Sequence, residues 1–160
     1  MSVISSRLVG FPNPVNEKAA RVVAGLVVVS ALTALLTQSG WLVWMIAAGF
    51  LLRVLSGPRF SPFGLLATKV VAPRLGRPKL VPGPPKRFAQ GLGLAFSLLA
   101  ATSIAVGATT LGWILVVLLI AAATLESVFA FCLGCSIFGL LQRAGMVPES
   151  VCEACVVGPR

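Results

Sequence analysis

The chain contains no histidine, no aspartate and no tyrosine, and its only acidic residues are four glutamates. Without histidine or aspartate it cannot form a Ser-His-Asp triad, a metal site with two histidines, or the usual aspartate-based magnesium site. Charged residues make up 11% of the chain, far below the roughly 25% of soluble domains. These absences exclude several common catalytic sites and argue against a water-soluble fold.

Long apolar segments take the place of the missing charge. Hydrophobic residues make up 58% of the chain, and the mean hydropathy is +1.00. A helix needs about 20 apolar residues to cross about 30 Å of hydrocarbon, and backbone in lipid must satisfy its own hydrogen bonds. We therefore predict an all-α, four-helix polytopic membrane protein with spans at about 19–37, 41–55, 88–107 and 111–131, of which the second is the shortest.

A long basic loop, residues 56–87, joins the two predicted hairpins and holds seven of the eleven prolines. Proline lacks the backbone N–H that a helix interior requires, so this loop cannot be one regular helix. Within it, residues 63–75 combine an apolar face with basic side chains. This pattern is typical of a helix that lies in the membrane interface, but it also fits a solvated loop.

The distribution of basic residues predicts the orientation of the chain. The short turns within the two hairpins contain no Lys or Arg, whereas the long loop and its flanks carry eight: Arg53, Arg59, Lys69, Arg74, Arg77, Lys79, Lys86 and Arg87. The positive-inside rule then places this loop, both termini and the tail 132–160 in the cytoplasm, and Arg7, Lys18, Arg21, Arg143 and Arg160 agree. Topology and attraction to anionic lipids account for the net charge of +9, so we expect no nucleic-acid binding.

All four cysteines lie in two Cys-x-x-Cys pairs near the C-terminus, Cys132 with Cys135 and Cys152 with Cys155. In the cytoplasm such thiols are kept reduced. Four thiolates at this spacing suit a structural zinc ion, and the same residues also suit catalytic thiol–disulfide exchange or a sulfur relay. Against the relay, we expect Cys132 at the C-terminal end of the fourth span, where the helix dipole opposes thiolate formation.

Glu126 lies inside the fourth apolar segment, where a carboxylate costs about 2.5 to 3.5 kcal/mol on insertion scales. Arg53 is expected at a similar depth in the second span. We predict a structural Arg53–Glu126 ion pair, with proton relay from Glu126 to the thiols as the alternative. The Gly91–Gly93 pair in the third span predicts close helix packing.

Four motifs carry a resemblance to a known family: VNEKAAR, FLLRVLSGPRFSPFG, GPPKRFAQGLG and LESVFAFCLGC, in this order. From about Asn16 to Cys155 the chain resembles the bacterial membrane proteins catalogued as domain of unknown function 4395. The resemblance implies a small multi-span protein of the bacterial plasma membrane, encoded near thioredoxin-like or sulfurtransferase proteins. The cysteines carry over as the Cys132–Cys135 and Cys152–Cys155 pairs, without an established reaction.

Two hypotheses of function follow. The first is a thiol–disulfide redox or sulfur-relay component that works with a thioredoxin-like or sulfurtransferase partner. The alternative is a non-enzymatic membrane scaffold whose four cysteines hold zinc. With four short spans, any channel or carrier would have to form as a homo-oligomer.

The orientation can be tested with reporter fusions. A reporter that is active only in the cytoplasm should work after Arg160 and within residues 74–79, because the basic segments face inward. The same reporter should be silent at Ser39, in the first short turn. Activity at Ser39 would contradict the orientation and the reducing environment assigned to the cysteines.

Overall fold

The computed structural model describes residues 12–148. Their helices are α1 (Glu17–Thr37), α2 (Gly40–Ser56), α3 (Pro62–Leu65), α4 (Gly83–Ala105), α5 (Thr109–Phe129) and α6 (Leu133–Arg143). Four helical segments are long and apolar enough to span a membrane. They are α1, α4, α5 and the stretch from Gly40 to Leu75, which begins with α2. The predicted all-α polytopic membrane fold is confirmed.

The four long helices form a bundle. Helix α2 packs on α4, α1 packs on α5, and further contacts between α4 and α5 and between α1 and α2 close the ring. Small and branched apolar side chains fill its centre, which consists of Val27, Ala31, Ala34, Val43, Ile46, Phe50, Ala100, Ala101, Val116, Leu119 and Ala123. Small residues let helix backbones approach closely. Such close packing favours helix association in lipid, where the hydrophobic effect does not drive helices together.

The outer surface of the bundle is apolar. Leu36 is 82% exposed and Trp41 is 71% exposed, and they belong to a large set of outward-facing hydrophobic side chains. In water so much exposed apolar surface would drive aggregation, whereas lipid tails solvate it. The surface therefore agrees with association with a lipid bilayer.

Gly93 provides the close helix packing that the sequence predicted. A Cβ atom at this position would lie 2.3 Å from the ring of Phe50 on α2, so α2 and α4 approach closely here. Gly91 meets nothing within 4 Å. One of the two glycines is therefore needed for packing.

The long loop folds back onto α1. Residues 57–75 pass through 3-10, α, π and 3-10 turns, and Ala67 and Ala72 pack against Ala19 and Val23 of α1. The predicted segment 63–75 is thus helical, although irregular. Its depth in a membrane interface stays a prediction.

A short antiparallel pair, β1 (Val15–Asn16) and β2 (Leu80–Val81), then joins the end of the loop to the start of α1. Beside it, Lys79 forms an ion pair with Glu17 at 2.7 Å, and Lys18 Nζ donates to the Leu75 carbonyl at 2.6 Å. The loop is thereby held at the end of the bundle where α1 and α4 begin and α2 and α5 end.

Two helix boundaries bear on the site. Helix α4 begins at Gly83, before the predicted residue 88, because Pro84 and Pro85 occupy its first turn, where no intrahelical N–H bond is lost. Lys86 therefore belongs to a membrane helix. Helix α5 ends at Phe129, and α6 follows in what we had expected to be a tail.

Candidate functional site

Cys132 is the N-cap residue of α6. Its Sγ accepts a hydrogen bond from the backbone N–H of Cys135 at 3.2 Å, and the two sulfur atoms lie at disulfide-bonding distance, with Cα atoms 5.2 Å apart. The sequence had placed Cys132 at the C-terminal end of the fourth span, and this placement was wrong. Ala130 takes a left-handed conformation with φ 56°, which ends α5 and lets a new helix start at Cys132.

The new position reverses the expected effect of the helix dipole on the thiol. The N-terminus of a helix carries partial positive charge and free N–H groups, and both favour a thiolate. Cys132 therefore occupies the position of a reactive thiol, with Cys135 one turn further along the same helix.

Arg21 of α1 holds the end of α5 that precedes the dithiol. Its Nε donates to the Ser127 carbonyl at 3.0 Å, and its Nη2 donates to the Val128 carbonyl at 3.0 Å. The last carbonyls of a helix lack intrahelical partners, so a cation at this point both caps the helix and offsets its negative end. The turn that leads to Cys132 is thus anchored to a neighbouring helix.

Helix α6 is docked on α4 through a glycine within the cysteine motif. A Cβ atom at Gly134 would lie 2.5 Å from the Cα of Ala89, so the two backbones touch. One turn further, Phe138 is buried and its ring centre lies 5.7 Å from that of Phe88. The dithiol is therefore carried by a helix that is packed against the bundle.

Two cavities meet at Cys132. One, of about 270 Å³, lies among apolar side chains of the bundle and also contacts Glu126 and Gln90. The other, of about 390 Å³, is lined by both Cys132 and Cys135 together with Lys86. Both sulfur-bearing residues are partly exposed. The pair can thus be reached by a reactant.

Glu126 forms its ion pair with Lys86. The Lys86 Nζ lies 2.7 Å from Glu126 Oε1, and the two side chains are only 8% and 15% exposed. The predicted pairing with Arg53 was therefore wrong about the direct partner. The reason is the early start of α4, which brings Lys86 level with Glu126.

Arg53 has other contacts. Its Nε donates to Gln90 Oε1 at 2.8 Å, its Nη1 donates to Ser61 Oγ at 3.3 Å, and its guanidinium lies 4.4 Å from the ring centre of Phe50. Glu126 acts on it electrostatically. The result is a buried cluster with two cations, Arg53 and Lys86, and one carboxylate.

Cys152 and Cys155 lie outside the described residues, so the predicted four-sulfur site is not observed in full. Within residues 12–148, no group of three or more His, Cys, Asp or Glu side chains converges. The zinc site stays a prediction. Sequence reasoning assigned Lys86 to the basic loop and did not single out Gln90. The two prolines in the first turn of α4 were the signal that could have placed Lys86 in a membrane helix.

Comparison with known proteins gives one match. Residues 15–143 match the family described as Domain of unknown function (DUF4395). The chain belongs to this family. The matched region runs from β1 to the end of α6, so in this DUF4395 protein the Cys132–Cys135 pair lies inside the family region. No curated protein and no solved structure matched the chain.

The contact of Gly134 with α4 can be tested by substitution. Gly134→Ala forces backbone atoms of α6 and α4 apart and should lower the free energy of unfolding by about 1 to 3 kcal/mol. Gly139→Ala, in the same helix but with open space around it, should be neutral or stabilising by up to about 1 kcal/mol. Thermal unfolding in detergent measures both, and equal effects would contradict the docking of α6.

The ion pair can be tested by a double-mutant cycle. Glu126→Gln leaves two buried cations without a carboxylate and should cost about 3 kcal/mol or more. Adding Lys86→Gln should restore part of the loss. The control is Glu17→Gln: Glu17 is 12% exposed, much like Glu126, but its partner Lys79 is 69% exposed and stays hydrated when left alone, so this change should cost less than Glu126→Gln.

The coupling energy between Lys86 and Glu126 is obtained from the unfolding midpoints of the single and double variants, with membrane yield as a second measure. Additive effects of Lys86→Gln and Glu126→Gln would contradict a direct pair. A larger recovery with Arg53→Gln than with Lys86→Gln would instead favour the pairing that the sequence predicted.

Proposed function

We propose that this DUF4395 protein is a membrane-anchored thiol–disulfide exchange component whose active dithiol is Cys132–Cys135. One observation carries the proposal: Cys132 caps the N-terminus of α6, and its sulfur lies within bonding distance of Cys135. A thiol at a helix N-terminus with a second thiol three residues later is the arrangement that produces a nucleophilic thiolate and a resolving thiol.

The reaction proceeds by two exchanges. The Cys132 thiolate attacks one sulfur of a partner protein's disulfide, forming a mixed disulfide and releasing the partner's other sulfur as a thiolate. Cys135, as its thiolate, then attacks Cys132, forming the Cys132–Cys135 disulfide and releasing the second partner thiolate. The partner disulfide is reduced by two electrons while this dithiol is oxidised, and the reverse sequence oxidises the partner.

The surroundings of Cys132 suit contact with a protein partner. Phe131 and Leu133, on either side of it, are 49% and 39% exposed, so an extended segment can approach the sulfur along the chain. Lys86 lines the cavity that contains both cysteines, with its charge paired to Glu126. The bundle supplies a rigid membrane anchor for this surface.

We place the dithiol on the cytoplasmic side of a bacterial plasma membrane, as the distribution of basic residues favours. A thioredoxin-like protein is the partner that fits, because it carries a disulfide able to exchange with a thiolate. A sulfurtransferase that carries a cysteine persulfide would instead pass its outer sulfur to the Cys132 thiolate and leave as its own thiolate. Cys152 and Cys155 would then serve as a second pair that exchanges with the first.

The reactivity of the two thiols tests the proposal. In a background that carries Cys152→Ser and Cys155→Ser, Cys132 should react with a small aromatic disulfide about tenfold faster than Cys135, because Cys132 is the N-cap and its sulfur accepts a backbone N–H, whereas Cys135 lies within the first turn. Cys135→Ser should accumulate a stable mixed disulfide with a thioredoxin variant that keeps only its attacking cysteine and carries a small aromatic thiol on it as a mixed disulfide, because the aromatic thiol leaves. Cys132→Ser should form little of this product. Gel mobility after alkylation and mass spectrometry measure both.

Two results would overturn the proposal. The first is equal reactivity of Cys132 and Cys135, or faster reaction of Cys135. The second is one zinc ion bound per wild-type chain, unaffected by oxidant, because a filled four-thiolate site leaves no free nucleophile. Metal analysis of the purified wild-type protein should precede the variants, since the serine background would remove such a site.

A further inference from the structure

Arg53 carries a buried hydrogen-bond donor that finds no acceptor among the described residues. Its side chain is only 4% exposed, its Nε and Nη1 are bonded to Gln90 and Ser61, and its Nη2 has no partner within residues 12–148. A buried unpaired donor on a charged group is destabilising, because it has lost its hydration without gaining an acceptor. Such a donor normally bonds to an ordered water, an ion or a ligand.

The same region has an excess of positive charge. Arg53 and Lys86 are both more than nine-tenths buried, and Glu126, the ion-pair partner of Lys86, also acts electrostatically on Arg53. Glu126 is already bonded to Lys86 at 2.7 Å. One positive charge remains uncompensated where the low dielectric makes it expensive.

A cavity lies against both cations. Its volume is about 200 Å³, enough for a small oxyanion, and Arg53, Lys86 and Gln90 form part of its wall. Asn16 and Thr68 add polar groups, and no carboxylate is among the described residues that line it. Apart from these groups the lining is mostly apolar, so the two cations are the main electrostatic feature of the cavity.

We propose that this cavity is a binding site for one small oxyanion, attracted by the buried side chains of Arg53 and Lys86 that line it. The guanidinium geometry favours an oxyanion over chloride, since its N–H groups match the oxygens of sulfate, phosphate or a phosphodiester. The ligand comes either from solution, as inorganic sulfate or phosphate, or from a phospholipid headgroup. The site is separate from the dithiol reaction and does not depend on it.

The first measurement uses full-length protein, stripped of lipid in detergent and titrated with sodium sulfate or phosphate against sodium chloride at equal ionic strength. A ligand that binds only the folded state raises the unfolding temperature in a saturable way. Arg53→Gln should weaken the apparent affinity about tenfold or more. Lys69→Gln, which removes a charge from an exposed position, should leave it unchanged.

A second variant guards against simple misfolding of Arg53→Gln. Gln90→Glu places a fixed carboxylate where the Gln90 oxygen already accepts from Arg53, so the fold should be kept. The new charge neutralises the cluster and should abolish the response to sulfate and phosphate. Retained stability together with lost anion response is the signature of the site.

Phosphorus analysis of the purified protein distinguishes the two sources. If a phospholipid fills the cavity, one should remain bound to the wild type and to Lys69→Gln before stripping, but not to Arg53→Gln or Gln90→Glu. The absence of both a saturable oxyanion effect and a retained phospholipid would overturn the proposal. So would either effect persisting in both Arg53→Gln and Gln90→Glu.

Discussion

The burial of Glu126 in an apolar helix is the constraint around which one end of this protein is organised. A carboxylate at this position requires a cation, and Lys86 supplies it from the neighbouring helix at 2.7 Å. The pair therefore ties α5 to α4 next to the turn that leads to Cys132. Arg21 ties the same end of α5 to α1 through two carbonyl oxygens. These polar contacts hold the exit of α5 in an otherwise apolar bundle.

The candidate reactive site depends on where the fourth span ends. One left-handed residue, Ala130, separates α5 from α6, and the next helix starts at Cys132. Had the helix continued, Cys132 would have lain at the negative end of a dipole, where a thiolate is disfavoured. Because the helix restarts, the same residue lies at a positive end. The contact of Gly134 with Ala89 then keeps the short helix in place on α4.

The charged cluster and the dithiol are neighbours through shared residues. Lys86 lines both the cavity that contains Arg53 and the cavity that contains the two cysteines, and Gln90 lines the former and the apolar cavity beside Cys132. A change of charge in the cluster would therefore alter the potential near the sulfurs, because buried charges interact strongly. The two sites are nevertheless chemically distinct, since one uses hydrogen-bond donors and the other uses nucleophilic sulfur.

An all-α membrane protein with four spans could be predicted from the sequence, because the length and composition of an apolar segment are local properties that set whether a helix can cross the bilayer. The sequence also identified Glu126 and the Cys132–Cys135 pair as residues that need an explanation. That Lys86 is the partner of Glu126 and that Cys132 begins a helix became clear from the packed structure. Both outcomes depend on where α4 starts and α5 stops, and on which side chains the packed helices then bring level with one another. Hydropathy alone does not encode these distances.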